Sequence, residues 1–120
     1  MGHFKELEVY KLSFELAMDI FKISKTFPKE ERYSLTDQIR RASRSVVACL
    51  AEAYRKRQYK AHFIAKVSDA DMENSETQSW LDFALACNYI LQENYGKFTS
   101  KSESVGRLLN DMIQNPEKYQ

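Results

Sequence analysis

SLTDQIRRASRSVVACLAEAYRKR, residues 34–57, combines a helical apolar seam with the densest positive charge in the chain. Placed on a helix, Leu35, Ile39, Ala42, Val46, Cys49 and Ala53 recur at alternating steps of four and three, an apolar seam of the kind that packs on other helices. Its other edge is cationic, with Arg40, Arg41 and Arg44 in the first half and Arg55, Lys56 and Arg57 at the end. Ser34 or Thr36 is the expected cap, with Asp37 in the acidic slot of a capping box.

Neither glycine nor proline occurs between Pro28 and Gly96, a gap natural for long helices and foreign to strands and turns. Residues 4–27 read as helix one, starting near Leu7 or Glu8, with Val9, Leu12, Leu16, Ile20, Ile23 and Phe27 as its core stripe. A second stripe, Tyr10, Phe14, Met18 and Phe21, widens the apolar surface beyond what one neighbour covers, so a contact on two sides is expected, the second with another subunit. Pro28 ends this helix, and residues 29–34 connect it to helix two. A turn is expected at residues 58–60, although no glycine or proline marks it.

Helix three is expected over residues 61–91, where Phe63, Val67, Ala70, Asn74, Thr77, Leu81, Ala84, Asn88 and Leu91 keep the same spacing. Its middle, residues 68–79, is polar and reads either as an exposed loop or as a helix with a small-residue seam. The continuous helix is preferred, because twelve residues without glycine or proline make a poor loop. Residues 92–100, containing Gly96, read as a loop, and residues 101–115 as helix four, with Val105, Leu108, Leu109, Met112 and Ile113 inward and Pro116 as its stop. Four amphipathic helices in 120 residues predict a single all-α domain over the whole chain, an antiparallel up-and-down four-helix bundle.

Net charge is only +1, but it is unevenly spread. Residues 29–66 carry ten basic side chains against four acidic, whereas residues 67–93 carry six acids and no Lys or Arg. If helices two and three turn near Tyr59, equal distances from the turn bring Arg44 beside Asn74, and Arg40 and Arg41 beside Gln78 and Thr77. Glu73 and Glu76 are then within reach as salt-bridge partners of these arginines, within the subunit or across an interface. Arg55, Lys56, Arg57 and Lys60, with Lys66 further on, have no comparable acids beside them, and Tyr54, Tyr59 and His62 interleave. Cations that neutralise phosphates and flat rings that stack on bases make a nucleic-acid surface; the alternative is a solvated helix end whose charge suits the helix dipole.

Catalysis finds little support: His3 and His62 are the only histidines, neither follows a Glu at the spacing of di-iron bundles, and no glycine-rich phosphate loop occurs. No catalytic residue, metal site or cofactor is therefore expected. Cys49 and Cys87 lie in apolar patterns and read as buried thiols of a reducing compartment. No apolar run reaches membrane-span length, the start MGHFKE lacks a hydrophobic signal core, and Glu6 stands where myristoylation needs Ser or Thr. A cytoplasmic protein without membrane contact is expected.

FKELEVY (4–10), TFPKEE (26–31), YSLTDQIRRA (33–42), AEA (51–53) and FIAKVS (63–68), in this order and spacing, resemble the bacterial four-helix-bundle family encoded in intervening sequences of large-subunit ribosomal RNA genes. The accessory variability determinant proteins of diversity-generating retroelements look similar. The resemblance covers residues 4–91 and is most specific in TFPKEE and SLTDQIRRA. It implies a ring-like homopentamer without catalytic activity, and in the retroelement branch a basic surface that binds RNA or DNA and a reverse transcriptase partner. Arg40 and Arg41, from the shared QIRRA, and Glu52, from the shared AE pair, carry over with roles in packing or assembly, nucleic-acid contact being the sharper option. The chain departs from the family at Ala53, where relatives usually have glycine, and at Met72 and Glu73, where relatives often carry Gly-Ser; both bear on subunit packing.

Overall fold

The computed structural model describes residues 3–120. Four helices, α1 (Glu8–Ser24), α2 (Leu35–Arg55), α3 (Lys60–Ala86) and α4 (Gln92–Gln114), are joined by short connections, with single 3-10 turns at Phe4–Glu6, Lys29–Glu31 and Pro116–Tyr119. Each helix packs on the next and α4 closes back on α1, so the four form a square bundle. At about 1.5 Å rise per residue, α3 spans about 40 Å, close to the 44 Å length of the molecule. Among the described residues there is no strand.

The core divides into two clusters. One holds Val46, Leu50, Phe63, Val67, Val105 and Leu109, the other Leu16, Ile20, Ile39, Leu81 and Phe98. Between them every helix contributes a small polar side chain: Ser13, Ser43, Asn74 with Thr77, and Ser102, all buried. The Ser13, Ser43 and Thr77 hydroxyls donate to carbonyls of their own helices. Asn74 instead crosses to α4: its Nδ2 donates to the Ser102 carbonyl at 2.9 Å, and the Ser102 hydroxyl returns a hydrogen bond to its Oδ1. Gln78 Nε2 also donates to that hydroxyl, at 2.8 Å. The buried side of the polar middle of α3, Asn74 and Thr77, thus belongs to a hydrogen-bonded core layer, and the helix is continuous through it.

Several element boundaries differ from expectation. Helix one starts at Glu8, as expected, with Leu7 extended (ψ 134°) between the separate 3-10 turn at Phe4–Glu6 and α1, but it ends at Ser24 rather than at residue 27. Ser34 stands at the N-cap of α2 but its side chain accepts no capping hydrogen bond. Its hydroxyl donates to Glu31 Oε1 at 2.6 Å, and the same oxygen accepts the Leu35 N–H at 3.3 Å, so the cap comes from the preceding turn rather than from the Ser34–Asp37 box. The α2–α3 turn lies at residues 56–59.

α3 ends at Ala86, not Leu91, because Asn88 takes the left-handed conformation (φ 63°). The Tyr89 N–H then bonds the Ala84 carbonyl and the Asn88 N–H the Leu85 carbonyl, the paired bonds of a Schellman cap. Leu91 consequently lies outside the bundle, 72% exposed. Residues 92–100 are helix and not loop: Phe98 is buried in the second core cluster, and the Tyr95 hydroxyl donates to Asp82. That anchoring outweighs the roughly 1 kcal/mol cost of a mid-helix glycine at Gly96. Cys49 is buried as expected, but Cys87, at the C-cap of α3, is exposed.

Candidate nucleic-acid interface

The turn between α2 and α3 is made without glycine. Lys56 (φ −99°, ψ 8°) and Tyr59 (φ −111°, ψ 88°) carry the reversal, and the Tyr59 N–H closes it on the Lys56 carbonyl at 2.8 Å. Arg55 and Lys56 therefore sit at the C-terminal, electronegative end of α2, where cations are favoured. Lys60 opens α3, and that helix starts with neither an acid in its first turn nor a side-chain cap. The free N–H groups and positive dipole end of α3 thus share one surface with Lys56 and Lys60, an arrangement that favours an anion.

Arg57 is held against its own turn: the guanidinium lies 4.1 Å from the Tyr54 ring centroid and donates to the Tyr54 carbonyl at 2.9 Å. Tyr59, 60% exposed, meets His62 edge to face. Among the described residues, none of Arg55, Lys56 and Lys60 has a carboxylate within 4 Å. Lys66 stands apart from them. Its Nζ is 2.8 Å from Glu52 Oε1 and 3.8 Å from Asp69 Oδ2, and the hydrogen bond and charge of Glu52 raise its pKa. Glu52 and Lys66 thus form an ion pair between α2 and α3.

The three arginines in the first half of α2 part company. Arg41 faces α3, bonding Glu73 at 3.4 Å and also Glu76, and its pKa is raised chiefly by the Glu76 hydrogen bond. Trp80 Nε1 donates to the same Glu76 oxygen at 3.2 Å. Arg40 and Arg44, on the opposite edge of the helix, reach α1 instead of the α3 acids expected for them. Arg40 Nε donates to Ser24 Oγ at 2.7 Å, and both guanidiniums lie over Phe21, at 4.9 and 5.4 Å. Lys25, at 4.7 Å, makes a third cation round that ring. The residues Lys25 and Phe21 escaped the sequence reading as partners of these arginines, although Phe21 closes the second stripe of helix one. Also missed was Lys101, which ties α4 to Glu15 and Asp19 of α1.

Phe14 and Met18 of that second stripe are exposed and, with Tyr10, Val47, Ala48 and Ala51, line an apolar hollow of about 310 Å³ between α1 and α2, with Arg44 on its edge. Among the described residues no three His, Cys, Asp or Glu side chains are placed to hold a metal, and no helix is long and apolar enough to cross a membrane.

Residues 5–111 match the model of the 23S rRNA-intervening sequence protein family. The chain belongs to that family. A solved structure from Bacteroides thetaiotaomicron, described as a protein of unknown function from the S23 ribosomal protein family, is similar at 30% identity with a TM-score of 0.81. The match covers 89% of this chain and 96% of that one. Among curated proteins none matches. For this intervening-sequence protein, membership fixes the bundle and leaves its binding chemistry to be argued from the surface.

Proposed function

We propose that this family member is a non-enzymatic, homo-oligomeric bundle that binds RNA, or other nucleic acid, through the α2–α3 turn. The observation that carries the reading is the cluster of Arg55, Lys56 and Lys60 without carboxylate partners beside the largely exposed Tyr59. Phosphates supply the missing counter-charge and an unpaired base has a ring to stack on. Lys66 is the weaker contributor, being already shared by Glu52 and Asp69. A net charge of +1 is small for a nucleic-acid binder, but a ring of five copies repeats the patch five times and gains affinity through effective concentration.

The second reading is an oligomeric protein-interaction scaffold, with a reverse transcriptase or another protein as partner, in which charge only aligns subunits; the exposed α1–α2 hollow favours it. Fluorescence anisotropy of labelled structured RNA, single-stranded RNA and duplex DNA, titrated at several salt concentrations, separates the two. A triple variant Arg55→Glu, Lys56→Glu, Lys60→Glu leaves Arg57 on Tyr54 and so spares the turn. Binding should fall steeply with salt and drop at least tenfold in this variant at unchanged oligomer mass. Absence of binding to every probe at low salt leaves the scaffold.

A further inference from the structure

Two exposed apolar surfaces of the bundle carry opposite charge. The hollow between α1 and α2, lined by Tyr10, Phe14, Met18, Val47 and Ala48, has Arg44 on its edge and Arg40 and Lys25 next to it around Phe21. None of these three cations has a carboxylate within 4 Å among the described residues. The outer face of α3 presents Met72, 63% exposed, and Phe83, 57% exposed, with the small residues Ala65, Ser68, Ser75 and Ser79 between and beside them at helical spacing. Asp69, Asp71, Glu76 and Asp82 flank this face; Lys66 and Arg41 already answer Asp69 and Glu76, whereas Asp71 and Asp82 have no cation within 4 Å among the described residues.

We infer that the α1–α2 hollow of one copy receives the outer face of α3 of the next. The inference rests on the oligomeric part of the proposed function and names the surfaces that form the assembly. Ridges of one helix seat in the groove between two others, and small side chains let the backbones approach. The contact buries Phe14, Met18 and Met72 together and sets Asp71 and its neighbours against Arg44, Arg40 and Lys25. Joining hollow to hollow would instead crowd the unpaired arginines of two copies together, which like-charge repulsion disfavours. The two surfaces lie on different sides of the bundle, so the contact is heterologous and repeats head to tail, closing into a ring when the rotation per copy allows.

Two exposed substitutions separate the halves of this contact. Ala48→Glu fills the hollow and neutralises Arg44 one helical turn away, while Met72→Lys reverses the character of the α3 face. Measured by size-exclusion chromatography with light scattering and without nucleic acid, the unaltered protein should exceed monomer mass and each variant alone should be a monomer. An equimolar mixture of the two should form a dimer and nothing larger, because one intact hollow meets one intact α3 face. Circular dichroism melts check folding, and the pair Arg44→Glu and Asp71→Lys repeats the test should either first variant fail to fold. An unaltered protein of monomer mass, a variant that keeps the full assembly, or a mixture that stays monomeric would each overturn the inference. Anisotropy with RNA is read separately, since both variants leave Arg55, Lys56 and Lys60 intact; RNA binding by a monomeric unaltered protein would sink this interface and leave the basic turn standing.

Discussion

Glu31 accepts three hydrogen bonds, from the Ser34 hydroxyl, the Tyr89 hydroxyl and the Leu35 N–H, and in that order they hold its carboxyl below the ordinary carboxylate range. Tyr89, bonded at 2.8 Å, is correspondingly pushed up to about 12. Because the folded-state pKa of Glu31 is lowered, the stability it contributes is complete above its ordinary value of 4.5 and is lost as pH falls through the lowered folded value. Thermal melts between about pH 3 and 7 should therefore show a shallower acid decline for Glu31→Gln than for the unaltered protein, with a lower Tm at neutral pH; parallel acid limbs would remove Glu31 from that role. The sequence showed Ser34 and Asp37 at capping-box spacing. It did not show that Ser34 spends its hydroxyl proton on a carboxylate three residues earlier, since spacing carries no information on where the backbone turns a side chain. The same limit applied to the arginines: one residue along α2 turns a side chain through about 100°, enough to send Arg41 to α3 and Arg40 to α1.

At the scale of the element, α3 was legible through most of its length because seam residues from Phe63 to Ala84 keep helical spacing, and all of them are buried. Its end was not, since a left-handed residue is a backbone event without an apolar signature, and Asn88 happened to continue the period. Asn tolerates that conformation better than most residues. Asn88→Ala should cost about 1 kcal/mol and lower Tm by several degrees, whereas Asn88→Gly should be neutral or slightly stabilising; calorimetric scans that rank Ala at or above Gly would contradict the cap. The start of α4 failed for the opposite reason. Gly96 is a local signal against helix, and the burial of Phe98 that overrides it is a tertiary fact.

For the whole molecule, near-zero net charge hides a basic α2 and turn, an acidic α3 face, and an exposed hollow whose rim is cationic. If copies join by these surfaces, burial between them adds stability that depends on mass action. The Tm of the unaltered protein should rise with protein concentration and that of Ala48→Glu should not; a concentration-independent Tm in both would place no free energy in the assembly. By itself the sequence determined the helix count, the core seams and the uneven charge, because apolar periodicity and the absence of glycine and proline over 67 residues from 29 to 95 leave a chain of this length few other ways to bury its core. Which edge of α2 faces α1 and which faces α3, and hence which cations are neutralised and which stay open, follows from the packing of the helices. Pairing depends on rotation about helix axes and on distances of a few ångströms between segments far apart in the chain, and spacing along one strand of residues encodes neither.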